Sequence, residues 1–109
     1  MKTKACFYIR VKLNDEIGAV AKDGYIERVG KRVYGYDKRD YYWCITDINT
    51  GLLIDRFPKI KDCQEYIKEH SFKIEQFCKN RKDDSDDDNF KRAVEAIKCE
   101  KENNQCSQS

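Results

Sequence analysis

Apolar and polar residues alternate from Lys4 to Leu13. Ala5, Phe7, Ile9, Val11 and Leu13 fall on one side, and Cys6, Tyr8, Arg10 and Lys12 on the other. A period of two predicts a half-buried strand, which Asn14-Asp15 ends. Between Glu16 and Asp40 the pattern is less regular. Asp23-Gly24 and Gly30-Lys31 carry turn chemistry, while Tyr25–Val29 and Arg32–Tyr36 are short runs of β-formers. That region is read either as a hairpin or as an irregular loop. Tyr41–Ile48 and Leu52–Phe57 predict two strands joined at Asn49-Thr50-Gly51, where Gly51 is free to take positive φ. Pro58 has no N–H for a ladder and ends the second of them.

From Ile60 the period lengthens. Ile60, Cys63, Tyr66, Ile67, Ile74, Phe77 and Cys78 fit one helical face and predict a long helix over Ile60–Lys79, with His70-Ser71 as a point of kinking or splitting. Lys79–Asn89 reads as a charged loop. Asp88 or Asn89 then caps a helix from Phe90 to about Lys101, with a stripe of Phe90, Ala93, Val94 and Ile97. The fold class expected is α+β: an antiparallel sheet of about four strands packed against one long helix, with a shorter C-terminal helix beside it. Residues 1–101 form a single domain in this reading, and residues 102–109 a flexible polar tail.

Composition narrows the function. Charged residues make up 39% of the 109 and apolar ones also 39%, which implies a thin core under a densely ionic surface. The net charge of +2 is too balanced for nucleic-acid binding by bulk charge alone. Residues 1–60 hold 12 Lys/Arg against 8 Asp/Glu, and residues 61–109 hold 10 against 12, so a mildly basic sheet half faces a mildly acidic helical half. No apolar run approaches the roughly 18 residues of a membrane span. Charge interrupts the N-terminal stretch before it can form a signal-peptide core, so the location expected is cytoplasmic, with no membrane partner. Cys6, Cys44, Cys63, Cys78, Cys99 and Cys106 include no C-x-x-C pair, and His70 is the one histidine. Free thiols, several packed as small hydrophobes, fit this spacing better than zinc or disulfides, and nothing calls for a cofactor.

Three patterns carry candidate chemistry. Asp84, Asp86, Asp88 and Glu95 match the ligand spacing of a calcium-binding EF-hand loop, with Asn89 at the turn-glycine position. Lys91 stands where an apolar residue normally pairs with a second hand, and carboxylates capping a helix N-terminus give the same match, so a metal site is the lesser reading. The aromatic and basic segment Tyr25–Trp43 suits plain sheet packing, a protein interface or single-stranded nucleic acid. The acidic run Asp83–Asp88 is either a solvated loop or an electrostatic contact for a basic cleft. Catalysis finds little support. There is no glycine-rich phosphate loop, G-x-S-x-G or H-E-x-x-H motif, and Cys78 lies two helical turns from His70. The chain is read as non-enzymatic.

Trp43-Cys44-Ile45-Thr46-Asp47-x-x-Thr50-Gly51-Leu52-x-Ile54, followed by a helix with Tyr66-Ile67, resembles the hairpin of small accessory proteins of Gram-positive phages and mobile elements. The likeness covers residues 41–70. It implies a cytosolic accessory role, among which inhibitors of host defence such as anti-CRISPR proteins recur. These occupy a nuclease surface without a cofactor.

The function expected is therefore a non-enzymatic binding protein acting by protein–protein contact, with inhibition of a host defence nuclease such as a CRISPR effector as its specific form. Tyr34, Tyr36, Arg39 and Tyr42 are the expected anchors, and Asp84, Asp86 and Asp87 the electrostatic contact. The alternative is a nucleic-acid-binding accessory protein using the basic, aromatic sheet half.

Overall fold

A computed structural model describes residues 1–81 and 84–107, with side chains for all of these except Asp84 and residues 100–107. Five antiparallel strands are followed by two helices. The strands are β1 (Thr3–Leu13), β2 (Glu16–Val29), β3 (Arg32–Arg39), β4 (Tyr42–Asp47) and β5 (Leu53–Phe57), hydrogen-bonded in chain order. The helices are α1 (Ile60–Asn80) and α2 (Asp84–Ser107). The α+β class is as expected. The sheet has five strands rather than about four, and the C-terminal helix, at 24 residues, is the longer of the two.

Local chemistry accounts for the meander. Asn14 and Asp15 both take positive φ, as a two-residue hairpin turn requires, and set Leu13 opposite Glu16. Gly30, at φ 65°, turns β2 into β3, so the region between Glu16 and Asp40 is a hairpin. Asp23-Gly24 is not a turn. β2 runs straight through it, pairing with β1 from Glu16 to Ile26 and with β3 beyond Gly24. Gly24 is needed there because a Cβ would overlap the carbonyl oxygen of Tyr36.

α1 covers one face of the sheet without interruption at His70-Ser71. Beneath it Tyr34, Tyr36, Ile45, Cys63, Ile67 and Ile74 make the main buried cluster. The opposite face is closed by the chain's own N-terminus. β1 is an edge strand in hydrogen-bond order, yet Arg10 reaches the β4–β5 turn, donating from its backbone N to Gly51 O (2.8 Å) and from Nε to Thr50 O (2.9 Å). The sheet therefore curls. Phe7 comes to lie over Gly35, where a Cβ would sit 2.7 Å from its ring, and Phe90 of α2 packs beneath Gly51.

α2 begins within the expected charged loop. Asp86, Asp87 and Asp88 occupy its first turns, where carboxylates favour the positive end of the helix. Asp87 also pairs with Arg10 and, at 3.1 Å, with Arg81. The backbone remains helical beyond Lys101, through Ser107.

Gly51 sits at φ 72° with both Phe90 and the Arg10 backbone against its Cα. Gly51→Ala should lower the urea midpoint by the equivalent of about 2 kcal/mol or more, since strain and overlap add. Gly18→Ala meets only an ordinary contact with Val11 (3.4 Å) and should change the midpoint little.

Candidate functional site

The β4–β5 turn gathers a dense set of hydrogen bonds. Asp47, fully buried, accepts from Arg32 Nε (3.1 Å) and Nη2 (2.5 Å) and from Thr50 Oγ1 (2.7 Å). Its backbone closes the turn, with Gly51 N donating to Asp47 O (2.7 Å) and Asp47 N to Leu52 O (2.9 Å). Burial alone would lower the Arg32 pKa, but its bonds to Asp47 outweigh that and raise it. The Asp47-x-x-Thr50-Gly51 motif is thus wholly engaged in holding the fold.

Two expected anchors belong to the core. Tyr34 and Tyr36 are both 0% exposed, because their side of β3 is the side α1 covers. Tyr36 Oη donates to Glu27 Oε1 (2.9 Å), and burial, together with that bond to a carboxylate, pushes the Tyr36 phenol strongly up in pKa. The Tyr34 hydroxyl has no hydrogen-bond partner among the described residues, and burial next to Asp47 pushes it up to about 12. Neither ring offers a surface to a partner.

The other expected contacts divide. Arg39 grips the buried Asp37 with two bonds (2.7 and 2.9 Å). Tyr42 is exposed, with the guanidinium of Arg56 stacked 4.9 Å from its ring centre. The register Asp37↔Cys44↔Arg56 and Arg39↔Tyr42 puts these groups on the sheet face away from α1, so Arg39 and Tyr42 do share one surface. Asp87 is engaged by Arg10 and Arg81 and is not a free acidic contact. Asp86 is half-buried beside Arg92, facing the β1–β2 turn, and the side chain of Asp84 lies outside the described residues.

The calcium loop is not formed. Ligands at its spacing must converge from an irregular loop, whereas Asp84 through Glu95 are helical, which turns Asp86 to the opposite side of the helix from Asp88. Among the described residues no three of His, Cys, Asp and Glu gather as a metal set. Burial pushes the thiols of Cys44 and Cys78 up and that of Cys63 to about 11, so none of the three is a ready thiolate at neutral pH.

A surface the residue pattern did not single out lies between α1 and β5. Phe77 was expected on the buried face of the helix but is 64% exposed, and Leu53 on β5 is 53% exposed. Tyr66, His70, Lys73 and Phe77 follow one another along one flank of α1. With Leu53, Ile54 and Ile74 they line a groove of about 310 Å³. Phe57, Tyr66 and His70 form a row, with ring centres 5.2 and 4.6 Å apart. The opposite flank of α1 is polar, where Gln64 reaches Glu27 and Glu75 accepts from Lys31 N (2.9 Å). β5 pairs only with β4, so the groove runs along a sheet edge. The clue in the sequence was an aromatic set at 66, 70 and 77, rotated from the Cys63, Ile67, Ile74 stripe.

Comparison with protein-family models, with curated proteins and with solved structures finds no match to this chain. No helix among the described residues is long and apolar enough to cross a membrane.

The two tyrosines should part in mutagenesis. Tyr34→Phe removes a hydroxyl without a partner and should leave urea stability unchanged or raised, whereas Tyr36→Phe strips a donor from a buried carboxylate and should cost about 1–3 kcal/mol. Burial pushes the Glu27 carboxyl up, but bonds from Tyr36, the terminal ammonium of Met1 and Gln64 outweigh it and hold the group below the usual carboxylate value. A lowered carboxyl stabilises the fold above its unfolded-state value, and that contribution is lost as pH falls through the folded-state value. Thermal melts at stepped acidic pH should show Tyr36→Phe losing stability at a higher pH than the wild type.

Proposed function

We propose that this protein is a non-enzymatic binding module that acts by protein–protein contact through the α1–β5 groove. The observation that carries the reading is the exposure of Phe77 and Leu53 on facing sides of one aromatic-lined groove. Isolated exposed apolar residues are ordinary, but two that flank a groove beside an open sheet edge are the usual mark of an interface. The chemistry of the partner follows from the lining. His70 and Lys73 are its titratable groups apart from the Tyr66 phenol, and it contains no carboxylate. An apolar anchor followed by a carboxylate is the matching segment.

Pairing of a foreign strand with β5 is the weaker mode. β5 has five residues, a register shift interrupts its ladder, and Asp55 Oδ1 accepts from the Arg56 N–H (2.7 Å). These are devices that blunt an edge. Two copies paired antiparallel through β5 would also set Asp55 opposite Asp55 or Arg56 opposite Arg56, which disfavours self-pairing.

The likeness of residues 41–70 to accessory proteins of mobile elements supplies a target class: a host defence nuclease, met in the cytoplasm and inhibited by occupation of its surface. A second reading, binding of single-stranded nucleic acid, is favoured by one observation, the stack of Arg56 on Tyr42 beside Arg39. Phosphate contacts would make affinity fall steeply with salt, which a contact made by Phe77 would not.

Affinity capture from a Gram-positive lysate, with and without nuclease treatment, tests the proposal on three proteins. The wild type should retain one partner after nuclease treatment. Phe77→Glu should weaken capture by about tenfold or more, as loss of a central anchor does, while Phe72→Glu, elsewhere on the exposed surface of α1, should not. Capture that is equal for Phe77→Glu, or that disappears with nuclease, would overturn it.

A further inference from the structure

We propose that the cleft between α2 and the sheet is a binding site for a single-chain fatty carboxylate. It lies on the face opposite α1 and is independent of the α1–β5 groove.

The site arises from how α2 is held. Its N-terminal end is fixed at two points: Asp87 pairs with Arg10 and Arg81, and Phe90, only 3% exposed, is pressed under Gly51 with the Arg10 guanidinium 5.7 Å from its ring centre. Beyond Phe90 the helix keeps to β2 and leaves a cleft open toward β3 and the β4–β5 turn. Ile26, Val33 and Ile48 of the sheet side and Val94 of the helix bound a common cleft of about 430 Å³, yet each stays only half-buried. Phe7 and Phe90 complete the apolar walls. Apolar surfaces that confront one another without closing leave transferable surface in water, which a ligand of matching character would remove. The volume falls within the roughly 300–1,000 Å³ of small-molecule sites.

The rim supplies the head-group chemistry. Lys91, Glu95 and Lys98 project from α2 at one, two and three turns along the same flank. Lys98 approaches Glu95 only at 3.9 Å, and Lys91 has no ion pair among the described residues. The rim carries two ammonium groups against one carboxylate, an excess of positive charge over an apolar slot. Phe90 to Lys98 spans about 12 Å of helix, the scale of a medium alkyl chain lying along it. An anionic head at Lys98, at one end of that span, with its chain against Val94, Val33 and Ile48, satisfies both features, and Lys91 adds to the positive field of the rim. A cationic head would be repelled by the rim, and an uncharged one would leave it unused.

Decanoate titrated into the full chain, followed by calorimetry and by chemical-shift changes, is the test. Saturable one-to-one binding is expected, with decanol at least about tenfold weaker because it lacks the charge-assisted contacts. The double variant Lys91→Glu, Lys98→Glu changes exposed side chains, keeps the wild-type urea midpoint, and should lose about tenfold in decanoate affinity. Val94→Trp should abolish binding by filling the slot. Absence of saturation below the micelle concentration would overturn the proposal. So would equal affinity for decanol and decanoate, or unchanged affinity in the lysine double variant.

Discussion

A carboxylate removed from water must be surrounded by donors or it will not stay charged, and Asp47 meets that condition with residues from three places in the chain. Arg32 approaches from the start of β3, Thr50 from the turn itself and the Cys78 thiol from α1, while the Gly51 N–H closes on the Asp47 carbonyl. The bonds fix Thr50 and Gly51 in one conformation. The outward side of that conformation is what Arg10 and Phe90 dock upon. One buried charge on the α1 side thus prepares the seat on which the other layer rests. Breaking such a pair by removing one partner typically costs about 3–5 kcal/mol, a large share of a small domain's stability.

The two layers differ in character as a result. The α1 side is a packed core with polar links at its β2 flank, and its open flank at β5 is where apolar groups reach the surface. On the other side, β1 and α2 are joined to the turn by a few strong contacts, α2 packs along β2, and a cleft stays open beyond Phe90. Both surfaces with a claim to function therefore lie where the packing set up by the turn runs out: the groove beside β5 and the cleft beyond Phe90.

Much of the fold was legible where a residue has one physical use. Asn49-Thr50-Gly51 demanded a tight turn, alternation from Lys4 to Leu13 demanded a strand, and the change of period at Ile60 demanded a helix. Errors came where one residue type serves two purposes. Gly24 reads as a turn glycine but is there to let Tyr36 pass. Tyr34 and Tyr36 alternate with Gly35 and Asp37, a pattern that does not reveal which side is buried until the neighbouring strands are placed. The aspartates after residue 83 read as a loop because their helix is stabilised from a distance, by Arg10 of β1. The candidate site was less legible than the fold. Its turn motif proved structural, Arg39 and Tyr42 kept a surface position, and the groove depends on Phe77 lying just outside the stripe of buried α1 residues.

The most direct test is a double-mutant cycle on Arg10 and Arg32, which touch the same turn but bond to different parts of it. Urea unfolding of Arg10→Met, Arg32→Met and the double variant gives the coupling. If the turn fixed by Asp47 is what carries the second layer, loss of Arg32 loosens the seat and Arg10 then has less to lose. The double variant should be less destabilised than the sum of the singles by more than about 0.5 kcal/mol. Additivity within that margin would mean that the two layers are held separately and would contradict the central place given to the turn.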